Sequence, residues 1–359
     1  MILLLSILGC HRCDPTAVDF TPLAGDWPTS TPAAQGLDPT LVGELYCEAE
    51  KQDTLYGLLV VKDGQLVAER YYHEGGVDQL STRQSVTKSF TSALMGLAVE
   101  QGCLAGIDET MFSFFPEYVD AVDDPRKLDI TIEDMLRMRS GYPWEETDAA
   151  LWDAVLTGDY LHLMVDFPLT ADPGTIHQYS NLTSHWLGVI VARACETDLW
   201  TYAQTNLFDP IGAEVGGWIQ DADGYYMGAF WLEVTARDMA RFGQLYLDGG
   251  VWDGAQVVPA DWVEASLRRQ ADPTGTLTPG PEFEDWGYGY QWWSAHAGAQ
   301  DVDFAWGHGG NFIFLVEEQD LMVVVTADPH IGDHSDRAWR QEKSHLNMVG
   351  AFLASLEDG

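Results

Sequence analysis

The sequence predicts an α/β (α+β) fold, with an antiparallel sheet flanked by helices and joined to a mainly helical subdomain. A strand hairpin is indicated near the start of the chain, at 56–61 and 65–72 around Lys62-Asp63-Gly64. A second strand pair is predicted late, at 304–316 and 321–327, with a turn at 317–320. Helical patterns separated by Pro and Gly fill about 108–217 between them. This order fits a sheet built from both chain ends around a helical insertion, with a site in the cleft between the two parts.

The individual elements follow from local patterns. Helical spacing is present at 41–51, at 85–100 and at about 336–356, and Thr131 is typical of a residue that caps a helix start. We interpret 1–36 as leader and linker and 37–359 as one domain. Within it we expect a sheet subdomain, 37–84 plus about 225–359, and a helical subdomain at about 85–224.

The N-terminus ends its apolar run in Leu8-Gly9-Cys10, which resembles a bacterial lipoprotein signal with Cys10 as the lipidated residue. The run is too short to span a bilayer and lacks a positive n-region, so a plain hydrophobic N-terminus is the alternative. We expect anchoring or export to the cell envelope. The other four cysteines have no metal-type spacing and are expected to be isolated, although a disulfide outside the cytoplasm is possible.

The amino-acid composition limits the classes of molecule that the chain is expected to bind. With 46% hydrophobic and 21% charged residues the chain is globular, and its formal charge is −38. A field of that sign repels phosphate backbones, which excludes nucleic acid as an expected partner. The charge describes solubility and habitat, and it says nothing about chemistry.

The motif Ser85-Val86-Thr87-Lys88 is the clearest chemical signal. It is the only Ser-x-x-Lys in a chain that has five lysines. At that spacing on a helix both side chains lie on one face, so a lysine with a lowered pKa could take the serine proton. The backbone N–H of Ser85, at a helix start, is free to stabilise an oxyanion. The alternative is an exposed helix start with a solvated lysine.

Two further segments could complete such a site. Tyr179-Ser180-Asn181 offers a phenol that relays a proton and an amide that holds Lys88 and the substrate. The segment His308-Gly309-Gly310-Asn311 allows close approach of a backbone to a ligand, with the Asn311 N–H as the second oxyanion donor. Each segment, considered alone, also has a purely structural interpretation. The tyrosine could pack against its neighbours, and the glycines could form a β-bulge.

Together, in this order, the three segments resemble the serine hydrolase family of class C β-lactamases and DD-peptidases. Within it the chain is most similar to family VIII carboxylesterases and 6-aminohexanoate-dimer hydrolases. The resemblance extends from about Gly36 to the C-terminus and includes 131–136, 235–243 and 288–293. It implies Ser85 as the acylated nucleophile, Lys88 as its base and Tyr179 as the second acid/base residue, without a cofactor or metal.

One departure from the family affects the substrate. The third motif usually begins with a lysine, and here His308 takes that place. Recognition of anionic β-lactams or peptide C-termini is therefore in doubt, and we favour a neutral or cationic small-molecule ester or amide. Gly309, Gly310, His308 and Asn181 are expected to bind substrate. The alternatives are DD-peptidase, D-aminopeptidase or β-lactamase activity, and a non-catalytic penicillin-binding-like protein.

Other chemistries are disfavoured. The chain has no Gly-x-Ser-x-Gly elbow of the α/β-hydrolases. Metal binding by Asp328, His330, His334 and Asp336 is not expected, because they lie in a predicted loop. A Ser–His pairing through His308 is the rival mechanism. An aromatic run, Tyr288, Tyr290, Trp292 and Trp293, could line an acyl pocket or simply pack in the core. The oligomeric state is not predicted.

Overall fold

The computed structural model describes residues 13–157, 159–273, 281–332 and 335–356. The strands in chain order are β1 Leu55–Lys62, β2 Gln65–Tyr71, β3 Ser81–Thr82, β4 Val215–Trp218, β5 Leu232–Val234, β6 Val251–Trp252, β7 Ala255–Gln256, β8 Glu284–Tyr288, β9 Trp293–Ala297, β10 Gln300–Gly307, β11 Asn311–Val316 and β12 Leu321–Ala327. The α-helices are α1 Pro39–Ala49, α2 Thr87–Glu100, α3 Ile132–Leu136, α4 Ala149–Thr157, α5 Tyr160–Asp166, α6 Asn181–Ala194, α7 Leu199–Ala203, α8 Asp209–Ile211, α9 Ala236–Leu247, α10 Ala260–Leu267 and α11 Asp336–Ala354.

The main sheet joins the two ends of the chain, as the sequence predicts. Its seven strands are antiparallel and follow the order β2-β1-β12-β11-β10-β9-β8. The early hairpin, β1 with β2, pairs through β1 with the late strand β12, where Leu59 lies opposite Val324. The α+β class, with helices flanking an antiparallel sheet, is confirmed.

Helices cover both faces of this sheet. Consecutive residues of its central strands point to opposite faces, and because these residues are apolar, both faces must be buried. Leu58 and Val60 belong to a core cluster shared with α1 and α11. Leu59 and Val61 belong to a second cluster, which α2 and α9 share. The segment from Ser85 to Lys88, at the start of α2, is therefore built directly on one face of the sheet.

Between the two sheet-forming parts of the chain, α2 packs against α6 and α9. Phe90 of α2 stacks on Phe242 of α9 with ring centroids 3.8 Å apart. Thr131 caps α3 as predicted: its hydroxyl accepts from Asp134 N, and the Asp134 carboxylate accepts from Thr131 N. The division into two subdomains stays a prediction.

The segment predicted as one strand over 304–316 is a hairpin, and this prediction is wrong. Strands β10 and β11 are separated at His308, Gly309 and Gly310, and Gly310 N donates to Gly307 O at 3.2 Å. Gly310 has a φ of 96°, and a Cβ there would lie 2.1 Å from His345 Nδ1. The paired glycines therefore turn the chain instead of extending a strand.

The expectation of isolated cysteines is also wrong. Disulfides join Cys13 to Cys47 and Cys103 to Cys195, with Cα atoms 5.6 Å and 5.0 Å apart. These pairs depend on which distant segments of the chain pack together, and spacing along the sequence does not reveal that. Cys10 lies outside the described residues. Within them, no helix is both long enough and apolar enough to cross a membrane.

Candidate active site

Ser85 lies in a short 3-10 turn, Gln84–Val86, immediately before α2, which begins two residues later than predicted. Gln84 has a φ of 49°, a left-handed conformation that costs on the order of 1–3 kcal/mol for a residue with a Cβ. Two hydrogen bonds hold it there. Gln84 N donates to Thr82 Oγ1 at 3.2 Å, and its Nε2 donates to Pro329 O at 2.9 Å. The turn presents Ser85 with a backbone N–H that α2 does not use.

Lys88, in the first turn of α2, is buried beside Ser85. Its Nζ lies 2.8 Å from Ser85 Oγ, 2.7 Å from Asn181 Oδ1 and 2.9 Å from Ala229 O. Burial lowers the pKa of Lys88 to about 7, and the nearby carboxylates of Glu146 and Glu145 act in the opposite direction. A substantial fraction of Lys88 is therefore neutral at physiological pH, as a general base requires.

Tyr179 is buried next to the same lysine. The centre of its ring is 4.9 Å from Lys88 Nζ. Burial raises the pKa of the Tyr179 hydroxyl well above its ordinary value, Tyr288 and Glu146 add to the shift, and a hydrogen bond with Ser85 opposes it. A phenol with so high a pKa stays protonated in the resting enzyme. It can give a proton to a leaving group, and it is a poorer initial base than Lys88.

Glu145 and Glu146 support these residues, and our sequence analysis did not identify them. Glu145 is fully buried; its carboxylate accepts from Ser180 Oγ at 2.6 Å and from Asn181 N at 3.0 Å. Burial raises the pKa of Glu145 to about 7. Glu146 Oε1 accepts from Asn181 Nδ2 at 2.8 Å, which turns the Asn181 carbonyl oxygen toward Lys88. In the sequence Glu145 and Glu146 are two adjacent glutamates after Trp144, and no periodic pattern or motif marks them as functional.

The turn at His308 is held by a buried carboxylate from α11. Glu342 Oε1 lies 2.8 Å from His308 Nδ1 and accepts from Gly309 N at 3.0 Å. Its other oxygen accepts from Trp306 Nε1 at 3.0 Å. Our sequence analysis did not identify Glu342 either, because it lies 34 residues beyond His308 on a helix predicted only for packing.

Gly310 and Asn311, the remaining residues that the sequence predicted for the site, lie at the base of this turn. The buried Asn311 side chain donates to His308 O at 3.0 Å and accepts from Ala327 N at 3.1 Å. The amide therefore fixes the hairpin. The role of the Asn311 N–H as oxyanion donor stays a prediction.

These parts meet at a cavity of about 400 Å³ that opens to solvent. The residues that line it are Ser85, Trp144, Glu146, Tyr179, Trp293, Trp306, His308, Trp339 and Glu342. Ser85, Tyr179 and His308 are thus brought together by elements far apart in sequence. Lys88 and Asn181 lie behind them in hydrogen-bond contact.

The aromatic run considered for the acyl pocket contributes only Trp293 to this cavity. Tyr288, Tyr290 and Trp292 are at most 4% exposed and belong to the core. The other tryptophans of the cavity come from separate elements. No group of three or more His, Cys, Asp or Glu side chains suited to a metal ion was found among the described residues, and His334 lies outside them.

Several known proteins are similar to this chain in sequence or in fold. A curated 6-aminohexanoate-dimer hydrolase from Paenarthrobacter ureafaciens is 27% identical over 318 residues, covering 83% of this chain and 79% of the relative. A solved structure from Bacillus anthracis, provisionally assigned as a 6-aminohexanoate-dimer hydrolase, superposes with a TM-score of 0.69 at 20% identity. That match covers 86% of this chain and 82% of the other.

EstCE1, a hydrolase with promiscuous acyltransferase activity, superposes with a TM-score of 0.67 at 16% identity, covering 88% of this chain and 98% of its own. At these identities the solved structures show a common fold. The sequence profile described as Beta-lactamase matches residues 54–345, which is most of the chain. That match, together with the fold, establishes that the chain belongs to the β-lactamase family.

Proposed function

We propose that this chain is a serine hydrolase that forms an acyl-enzyme on Ser85 and acts on small carboxylic esters or amides. The hydrogen-bond arrangement around Lys88 Nζ carries the proposal. Asn181 Oδ1 and Ala229 O can only accept, so a neutral amine gives its two N–H groups to them. Its lone pair is then directed at the Ser85 hydroxyl, 2.8 Å away.

In the acylation step, Ser85 Oγ bonds to the substrate carbonyl carbon while its proton passes to Lys88 Nζ. The negative charge that forms on the carbonyl oxygen is stabilised by the Ser85 N–H and, in this proposal, by the Asn311 N–H. The bond to the leaving group then breaks, and the leaving group takes the Tyr179 hydroxyl proton. Lys88 returns its proton to the phenolate, which restores both residues.

Deacylation repeats these transfers with water in place of serine. Lys88 takes a proton from the attacking water, and Ser85 Oγ recovers that proton when the acyl bond breaks. The products are a carboxylic acid and the alcohol or amine. The names of two similar proteins support this proposal: one is a 6-aminohexanoate-dimer hydrolase, and the other is a hydrolase with promiscuous acyltransferase activity.

The charge of the third motif favours a neutral or cationic substrate over the cell-wall alternatives. If His308 is protonated, its charge is cancelled by Glu342, 2.8 Å away, and if it is neutral the pair is negative. Neither state supplies the fixed positive charge that a lysine offers to a substrate carboxylate. A DD-peptidase, D-aminopeptidase or β-lactamase role is the weaker candidate. A non-catalytic role leaves the Ser85–Lys88–Tyr179 arrangement unexplained.

A fluorophosphonate probe and a hydrolysis panel test the proposal. We expect the probe to label Ser85 and the chain to hydrolyse short-chain p-nitrophenyl esters or linear amides faster than nitrocefin. Ser85→Ala should lose both labelling and turnover while keeping its circular-dichroism spectrum. A folded wild-type protein that neither reacts with the probe nor turns over any member of the panel would contradict the proposal.

A further inference from the structure

The cavity beside Ser85 has a continuous aromatic lining, which we term the tryptophan wall: Trp144, Trp293, Trp306 and Trp339. Ring centroids lie 5.7 Å apart between Trp293 and Trp306 and 6.3 Å apart between Trp306 and Trp339. Tyr179 bridges Trp144 to Trp293, at 5.7 Å from each. Trp144, Trp306 and Trp339 are only half-buried, so the cavity has aromatic surface available to a ligand.

The same cavity has an excess of carboxylates. Glu146 and Glu342 line it, and His308 is the only basic side chain among the described residues of the lining. By formal charge, His308 at most cancels Glu342, so the described residues of the lining keep the negative charge of Glu146 in either state of the histidine. In the reactive form of the enzyme Lys88 is neutral and adds nothing to offset it.

Aromatic faces next to a carboxylate bind one chemical group particularly well. A compact alkylated ammonium ion gains from the electron-rich ring faces and from the negative charge, and its methyl groups lose little hydration on burial. A neutral group of the same shape gains only the apolar contact, and an anion is repelled.

We propose that the natural substrate carries a compact quaternary or alkylated ammonium group, which lies against the tryptophan wall and faces Glu146 while the ester or amide carbonyl reaches Ser85. This inference rests on the proposed function for the reacting end and adds the identity of the far end. The overall charge of −38 supports it, because a field of that sign concentrates cations near the protein. Hydrolysis of such an ester transfers its acyl group to Ser85 Oγ and then to water, without any further reactant.

Pairs of isosteric esters test the inference. In butyrylcholine and 3,3-dimethylbutyl butyrate, the cation and its carbon isostere are carried on the alcohol. In the ethyl esters of glycine betaine and of 3,3-dimethylbutanoate, they are carried on the acyl group. We expect kcat/KM to be at least about tenfold higher for the cation in one of these pairs. Equal or faster turnover of the neutral ester in both pairs would overturn the inference.

Substitutions test whether the preference for the cationic ester arises at this cavity. Glu146→Gln keeps an acceptor for Asn181 Nδ2 and removes the charge, and Trp339→Leu removes one aromatic face at the cavity. Each should reduce the cation-to-isostere ratio by about threefold or more, whatever it does to absolute rates. Glu44→Gln, which removes an equal charge from the exposed side of α1, should leave the ratio unchanged. A ratio that is insensitive to both cavity variants contradicts the inference.

Binding to Ser85→Ala separates this inference from the proposed function. Choline should quench tryptophan fluorescence at lower concentration than 3,3-dimethylbutan-1-ol does. If the wild type hydrolyses nothing yet choline binds selectively, the cation site stands and the hydrolase proposal fails. If both alcohols bind alike, the cation site fails, whatever esters the enzyme hydrolyses.

Discussion

Lys88 shows how two opposing effects set the state of one side chain. Burial disfavours its ammonium form, while Glu145 and Glu146 favour it, and the balance places the pKa of Lys88 at about 7. With fewer carboxylates nearby the lysine would be neutral over a wider range, but Asn181 would lose the acceptor that orients it. The carboxylates therefore lower the fraction of neutral Lys88 at neutral pH, and in return Glu146 fixes the direction of the lone pair through Asn181.

The activity should follow this pKa. Neutral Lys88 is the reactive form, so kcat/KM should rise with pH through about 7 and reach a plateau above about pH 8. Lys88→Ala should lower kcat by at least ~10³-fold, as removal of one member of a concerted unit does. Initial rates with a p-nitrophenyl ester from pH 5.5 to 9 measure both effects.

His308→Ala is the control for this prediction, because an imidazole base would produce a similar rise near neutral pH. We expect that variant to change substrate preference and to keep the pH profile of the wild type. Near-normal turnover in Lys88→Ala, combined with inactivation of a folded His308→Ala, would assign the base to the histidine.

At the scale of single residues, Ser85, Lys88 and Tyr179 could be identified from the sequence because their chemistry requires fixed residue types in a fixed order. Glu145, Glu146 and Glu342 could not. Each acts through a contact with a distant segment, such as Glu342 with Gly309 N at 3.0 Å, and any of the many acidic residues in this chain could have done so. The role of Glu342 becomes visible only after the packing of α11 is known, and the roles of Glu145 and Glu146 only after the position of the α6 start is known.

Among the elements, helices α2 and α6 act as a parallel pair. Their first turns meet where Lys88 contacts Asn181, 93 residues apart. Their far ends are joined where Cys103 bonds Cys195, 92 residues apart. The near-equal separations mean that the two helices run in register from the site to the disulfide. The sequence predicted α2 and a mainly helical stretch that includes α6. It could not predict the register of the two helices, because that register depends on side-chain packing between them.

This disulfide should stabilise the fold more than it assists catalysis. It closes a loop of 92 residues, whereas Cys13–Cys47 closes one of 34. Loop-closure entropy predicts that Cys103→Ser with Cys195→Ser costs about 1 kcal/mol more unfolding free energy than Cys13→Ser with Cys47→Ser. Urea denaturation of the two double variants, which serve as controls for each other, provides the comparison.

The catalytic rate should change little in the Cys103→Ser, Cys195→Ser protein at 25 °C, because Lys88 and Asn181 are fixed by their own hydrogen bonds at the opposite end of the helices. A large fall in kcat without loss of fold would instead mean that the disulfide sets the geometry of the site. A larger free-energy cost for the Cys13–Cys47 pair would argue that local strain or packing, and not loop length, decides the stabilisation.

Over the whole molecule, the sequence predicted a sheet assembled from both chain ends, because two hairpin-like patterns flank a helical stretch. It missed β8 and β9, which extend that sheet beyond β10. Their segment, 284–297, is rich in tryptophan, tyrosine and glycine and does not alternate between apolar and polar residues. The cell-envelope location stays a prediction; disulfides such as Cys103–Cys195 are typical of oxidising compartments.

The charge of −38 leads to a prediction for the entire fold. Like charges repel more strongly in the compact state than in the extended chain, so the folded state should be destabilised at low ionic strength. Salt shortens the screening length from about 30 Å at 0.01 M to about 3 Å at 1 M. The melting temperature should therefore rise by several degrees as NaCl increases over that range, as differential scanning fluorimetry can record. Neutralising the exposed Glu44, Asp129 and Glu284 should make the salt-dependent rise in melting temperature smaller. A melting temperature that is independent of salt would show that charge repulsion does not limit stability.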